Sequence, residues 1–155
     1  ASVQNLAQGL LLKEPVVAQA PPGRDPADMS DEELLGVIID AKKPTGITLR
    51  ALREAQRRGI PELVNATVYS LQNPSYVVRI ETAKILAELR DKRIVPYLVL
   101  SLQDEESAVR GHVAKALGMI EDRSALPSLN NRLKEETVPE VKIAITRAVN
   151  RLGEP

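Results

Sequence analysis

From residue 30 onward, apolar side chains return every three or four positions, the period of an α-helix that buries one face. Leu34, Leu35, Ile38 and Ile39 form the first such stripe. Ser30-Asp31-Glu32-Glu33 ahead of it reads as a capping box, with Ser30 at the N-cap and Glu33 at the third helical position. The pattern predicts a helix over Asp31–Ala41, then a turn at Lys42-Lys43-Pro44-Thr45-Gly46. A second helix is predicted over about Thr48–Arg58, stopped by Gly59, and a third from Pro61 to Gln72.

Beyond these the stripes repeat. Val78-Arg79, Val109-Arg110 and Val141-Lys142 recur at spacings of 31 and 32. Eight residues after each valine stand Leu86, Leu117 and Val149, and eleven after stand Leu89, Ile120 and Leu152. A second set of stripes follows: Val95, Leu98 and Leu102 align with Leu126, Leu129 and Leu133, with Pro96 and Pro127 just inside the helices that carry them. The joining segments, residues 89–96 and 120–127, read as one turn written twice. A single helix pair cannot cover both its faces, whereas stacked pairs share one aliphatic core.

The expected fold class is therefore all-α: a short α-solenoid of antiparallel helix pairs over residues 31–155, preceded by an extended N-terminal arm. The units fall at about 31–59 (degenerate), 60–77 (half a unit), 78–108 and 109–140, with a terminal helix over 141–153. Residues 1–30 read as a Pro-rich extended or flexible arm with a short helix over 3–12, because Pro15, Pro21, Pro22 and Pro26 keep the chain out of longer helices. A flexible linker is the favoured form. The alternative is docking of Leu6, Leu10, Leu11 and Leu12 on a neighbouring surface or on another chain, which would allow self-association through the arm.

The repeat resembles the HEAT repeat family, and most of all its bacterial HEAT-like repeats of the phycobilisome-lyase type. The residues that carry the likeness are Val78-Arg79, Ala83, Leu86, Leu89 and Pro96 to Leu98 in one unit. In the next they are Val109-Arg110, Ala114, Leu117, Gly118 and Pro127 to Leu129. The resemblance covers residues 60–153. It implies an armadillo-type superhelix whose second helices line the concave side and carry the partner site. The repeat register assigns solvent-facing positions there to Tyr69, Ser70, Tyr97, Leu100, Ser101, Ser128, Asn131, Arg132 and Glu135, with Tyr69, Tyr97, Leu100, Ser101, Asn131 and Arg132 as the partner-binding set. The resemblance also implies a structural ladder between units. Asp104 and Glu136 in the turns would face Arg79, Arg110 and Lys142 on the helices. The rungs at Asn73, which has no charge, and at Lys142, which lacks a guanidinium fork, are expected to be weaker.

Composition narrows the chemistry. There is no Cys, Phe or Trp, so thiolate metal sites and cysteine nucleophiles are excluded and the core must be built from Leu, Ile, Val and Ala. The single histidine, His112, has no second His for a metal pair, and the His-Glu pairs of HEAT-repeat hydroxylases are absent; an exposed or groove-lining place on its helix is expected. The glycines form no phosphate loop, and no apolar run reaches the length of a membrane span. These readings lead to an expectation of no enzyme, no cofactor and no metal, with the cytoplasm favoured over an exported or membrane-tethered setting.

Charges balance at 21 basic and 21 acidic residues, which gives no global field for nucleic acid. Locally, Lys42, Lys43, Arg50, Arg53, Arg57 and Arg58 form a basic cluster opposed only by Glu54, just after an acidic stretch from Asp25 to Asp40. A solvated helix face with intramolecular pairing to that stretch is the first reading, an anionic docking patch for a protein partner the second, and nucleic acid the third. The function expected is a non-catalytic protein-binding or scaffolding module. The alternatives are an accessory subunit of a bilin lyase or isomerase, which rests on the resemblance alone, and a nucleic-acid binder through the Arg50–Arg58 face.

Overall fold

The computed structural model describes residues 12–153; the short helix expected over 3–12 lies outside them except for Leu12. Among the described residues all regular structure is helical. The helices are α1 (Asp31–Ile39), α2 (Thr45–Arg58), α3 (Leu63–Ser70), α4 (Tyr76–Leu89), α5 (Val95–Ser101), α6 (Ser107–Ile120), α7 (Leu126–Glu135) and α8 (Pro139–Gly153). Single 3-10 turns precede α1, α5 and α7. The chain divides into two compact units, Ala1–Thr82 and Ala83–Pro155, with the border inside α4.

In the first unit α1 packs against α2 and α3. The capping box is formed: Glu33 N donates to Ser30 Oγ at 3.1 Å, and Ser30 N donates to Glu33 Oε2 at 2.8 Å. α1 ends two residues earlier than the pattern predicts, at Ile39, and α2 begins three residues earlier, so Gly46 lies in a helix rather than in a turn. Gly59 closes α2 in the left-handed region, φ +67°, its N–H reaching the last carbonyls of the helix. The third helix is shorter than expected, because Pro61 and Glu62 form a turn ahead of Leu63.

The described part of the arm is extended and tied down. Leu12, Pro15, Pro26 and Met29 are buried. Ala18 N donates to the Glu32 carbonyl at 3.0 Å, and Asn65 Nδ2 donates to the Lys13 carbonyl at 2.7 Å. The arm crosses α1 at Gly36, where a Cβ would come within 2.2 Å of the Ala18 carbonyl oxygen. For residues 12–29 the favoured picture of a flexible linker therefore gives way to a docked strap, because buried apolar anchors and backbone hydrogen bonds outweigh the chain entropy that proline has already reduced.

In the second unit α5 packs against α6, and α8 packs against both α6 and α7. The core is aliphatic: Leu86, Leu98, Leu102, Val113, Leu117, Leu129 and Ile145 are fully or almost fully buried. The twice-written turn is one geometry. Arg90 and Glu121 adopt φ +52° and +61°; Asp91 and Asp122 then cap the 3-10 turns by accepting from Arg93 N and Ser124 N, each at 3.0 Å. Pro96 and Pro127 follow in the first turns of α5 and α7. Leu89, expected on the buried stripe, is 41% exposed, because it is the last residue of α4 and the chain turns away at Arg90.

Candidate functional site

The turn residues at the heads of α4, α6 and α8 share one task. Asn73 Oδ1 accepts from Ser75 N (2.9 Å), Asp104 Oδ1 from Glu106 N (3.0 Å) and Glu136 Oε1 from Val138 N (3.1 Å). The following arginine closes on the same turn: Arg79 Nη1 donates to the Asn73 carbonyl and Arg110 Nη1 to the Asp104 carbonyl, both at 2.8 Å. Arg110 also grips Glu136 with two parallel bonds of 2.8 and 2.9 Å, and Arg132 adds a third at 3.1 Å. The Glu136 side chain is wholly buried, and the arginine beside it holds its carboxyl down at about 2. Lys142, without a fork, stands exposed. These residues build the turns, so their charges are consumed in structure.

The basic cluster is likewise engaged. Arg50 pairs with Asp25, Arg53 with Glu81 at 3.2 Å, and Arg57 and Arg58 with Glu54 at 2.6 and 2.7 Å. Arg58 further donates to the carbonyls of Met29 and Ala27, at 2.8 and 3.0 Å, and clamps the end of the arm. Lys42 and Lys43 remain exposed in the turn before α2.

The residues assigned to a partner face on the second helices differ in their exposure. Tyr97 is buried, as is Ser70, which accepts from Thr82 Oγ1 at 2.9 Å. The short helix α5 buries Val95, Tyr97 and Leu98 together, a wider face than a single stripe, and this draws Tyr97 inward. Tyr69 and Ser101 are half-buried, and Ser101 Oγ donates to the Tyr97 carbonyl at 3.3 Å. Arg132 is held by Glu136 and by Gln103 Oε1 at 2.8 Å. Leu100 and Asn131 stand exposed.

The described concavity lies elsewhere, between the first helices α6 and α8. It is a groove of about 680 Å³ with a floor of Ala108, Gly111, Met119, Val141 and Ala144. His112, Lys115, Glu140, Arg147 and Arg151 stand along it. Small residues make the room. Gly111 would meet nothing within 4 Å if given a Cβ, whereas a Cβ at Gly118 would lie 3.1 Å from the Ala148 Cα. Of the two places expected for His112, exposed or groove-lining, the structure puts it along this groove. The rest of the site was missed because small residues on α6 and α8 read simply as close packing; the volume absent at Gly111 and Ala144 is the signal that marks it.

Among the described residues no helix is long and apolar enough to cross a membrane. Nor do any three His, Cys, Asp or Glu side chains among them gather in a set able to hold a metal ion, so the described residues do not fit a hydroxylase-type metal centre and no reaction step is assigned to them.

No curated protein sequence matches the chain. A solved structure of human deoxyhypusine hydroxylase in complex with glycerol is similar to it, with a TM-score of 0.69 and 30% identity over 79% of this chain and 43% of that one. The chain thus spans less than half the length of that hydroxylase. The sequence reading expected no enzyme; the likeness to an enzyme at this identity overturns that expectation, since it gives the chain an enzymatic relative. The all-helical fold agrees with this neighbour, and the HEAT-repeat profile matches residues 49–150. The chain belongs to the HEAT repeat family.

Proposed function

We propose that the chain recognises another protein and does so at the groove between α6 and α8. The observation that carries this reading is the apolar floor of that groove, open over about 680 Å³ in a family of helical repeats. Concave apolar surface with a few charged groups at its edge is what a partner's side chains fill. The test is selection of a random peptide display library on the full chain, with Gly111→Leu as the counter-target. Gly111 lines the groove and has open space at its Cβ, so a leucine there takes up groove volume. Enriched peptides that fail to bind the variant support the reading; no enrichment, or equal binding by the variant, overturns it.

A second reading follows from the likeness to deoxyhypusine hydroxylase: the chain acts as part of a hydroxylase. Incubation of the chain with a deoxyhypusine-bearing protein in source-cell extract, followed by mass spectrometry, tests it. A chain-dependent gain of one oxygen atom supports it, and an unchanged mass removes it. The finer placement among phycobilisome-lyase-type repeats rests on the repeat residues alone. It predicts a change in bilin absorbance on adding the chain, and an unchanged spectrum counts against it.

A further inference from the structure

The charges along the groove are graded. Gly118 meets Ala148 and Glu121 pairs with Arg151 at 2.8 Å, so α6 and α8 run side by side with an offset of about 30 residues. That offset puts Lys115 and Arg147 at nearly the same level on opposite walls. Glu140 lies two helical turns before Arg147, about 10 Å away along α8. Arg151 is committed to Glu121. Among the described residues neither Lys115 nor Arg147 has an ion-pair partner, in contrast to α2, where each of the four arginines holds a carboxylate. Toward its Arg151 end the apolar groove is therefore flanked by two available cations, and toward its other end by a carboxylate.

Resting on the reading of this groove as the partner site, we propose that it takes a protein segment with an aliphatic face and an acidic turn at one end, whose carboxylates meet Lys115 and Arg147 together. Two cations facing each other across the groove address one turn of an occupant, so its acidic residues must be clustered. Glu140 requires the other end of the segment to be neutral or basic, which sets its direction. The aliphatic face supplies contact area, and the charges supply register and choice of partner.

The experiment uses the full chain and three synthetic helical peptides with the same aliphatic stripe, whose end turn carries Glu, Gln or Lys, with binding followed by fluorescence anisotropy. The Glu peptide should bind about tenfold more tightly than the Gln peptide, and the Lys peptide more weakly still. Added salt should erase the difference. In the double variant Lys115→Glu/Arg147→Glu, its fold verified by circular dichroism, the preference should turn toward the Lys peptide. Equal binding of the Glu and Gln peptides, or an unchanged preference in the double variant, overturns the acidic-partner proposal and leaves the groove reading standing. Undiminished binding of the peptides to Gly111→Leu overturns the groove reading itself, and with it the proposal. Binding of none of the three overturns the proposal, while the display selection still decides the groove reading.

Discussion

At the scale of single residues, two glycines in one helix have opposite meanings. Gly118 sits where a Cβ would be 3.1 Å from the Ala148 Cα and 3.2 Å from its Cβ, with backbone that has little room to give. Gly118→Ala should cost about 1–3 kcal/mol in urea unfolding through overpacking. Gly111→Ala in the same helix meets open space and should gain about 0.5–1 kcal/mol from helix propensity. Glu136 is an acid whose side chain is wholly buried. Its folded value of about 2 lies below the ordinary 4.5, held down first by the hydrogen bonds from Arg110. On acidification the unfolded chain takes up the proton first, so this contribution is whole above pH 4.5 and lost as pH falls through the folded value near 2. Glu136→Gln should lose about 3 kcal/mol at neutral pH by leaving Arg110 uncompensated, and should flatten the acid limb of a stability profile. The spacing of Asn73, Asp104 and Glu136 was legible in the sequence. Their shared bond from the amide two residues on was not, because the donor a side chain accepts from depends on how the turn closes.

At the scale of elements, the strap of residues 12–29 is the largest departure from what the pattern suggests. Its prolines announce an extended chain, but not the surface on which that chain lies. Gly36 is what admits it, since any side chain there would strike the Ala18 carbonyl. Gly36→Ala should lift the strap from α1 and leave α1 helical. The checks are faster hydrogen exchange at the Ala18 amide and quicker proteolysis near Val16 and Val17, and protection equal to wild type would contradict the role given to Gly36. The paired turns make a similar point. The repeated Asp and Pro foretold their recurrence, while the left-handed conformations of Arg90 and Glu121 could not be foretold from residues that seldom adopt them. Tyr97 was placed on the wrong face because a helix as short as α5 is covered over most of its circumference, and a period counted along one stripe does not measure how wide the cover is.

For the whole molecule, balanced charge has a consequence of its own. With 21 cations and 21 anions, repulsion between copies is weakest near neutral pH. Solubility in polyethylene glycol should therefore pass through a minimum there and rise on either side; a curve falling steadily through neutrality would contradict this. The sequence by itself determined the helical class, the repeat and the aliphatic core, because those follow from the period of apolar positions and from the kinds of side chain available. It also held the pairing of the basic cluster with the acidic stretch as one of three readings. Only the tertiary structure showed which carboxylate each of these arginines holds, seated the strap, buried Tyr97 and brought together the lining of the groove between α6 and α8. The reason is physical: periodicity reports which face of a helix turns inward, whereas ion pairing and concavity depend on distances between segments far apart in the chain.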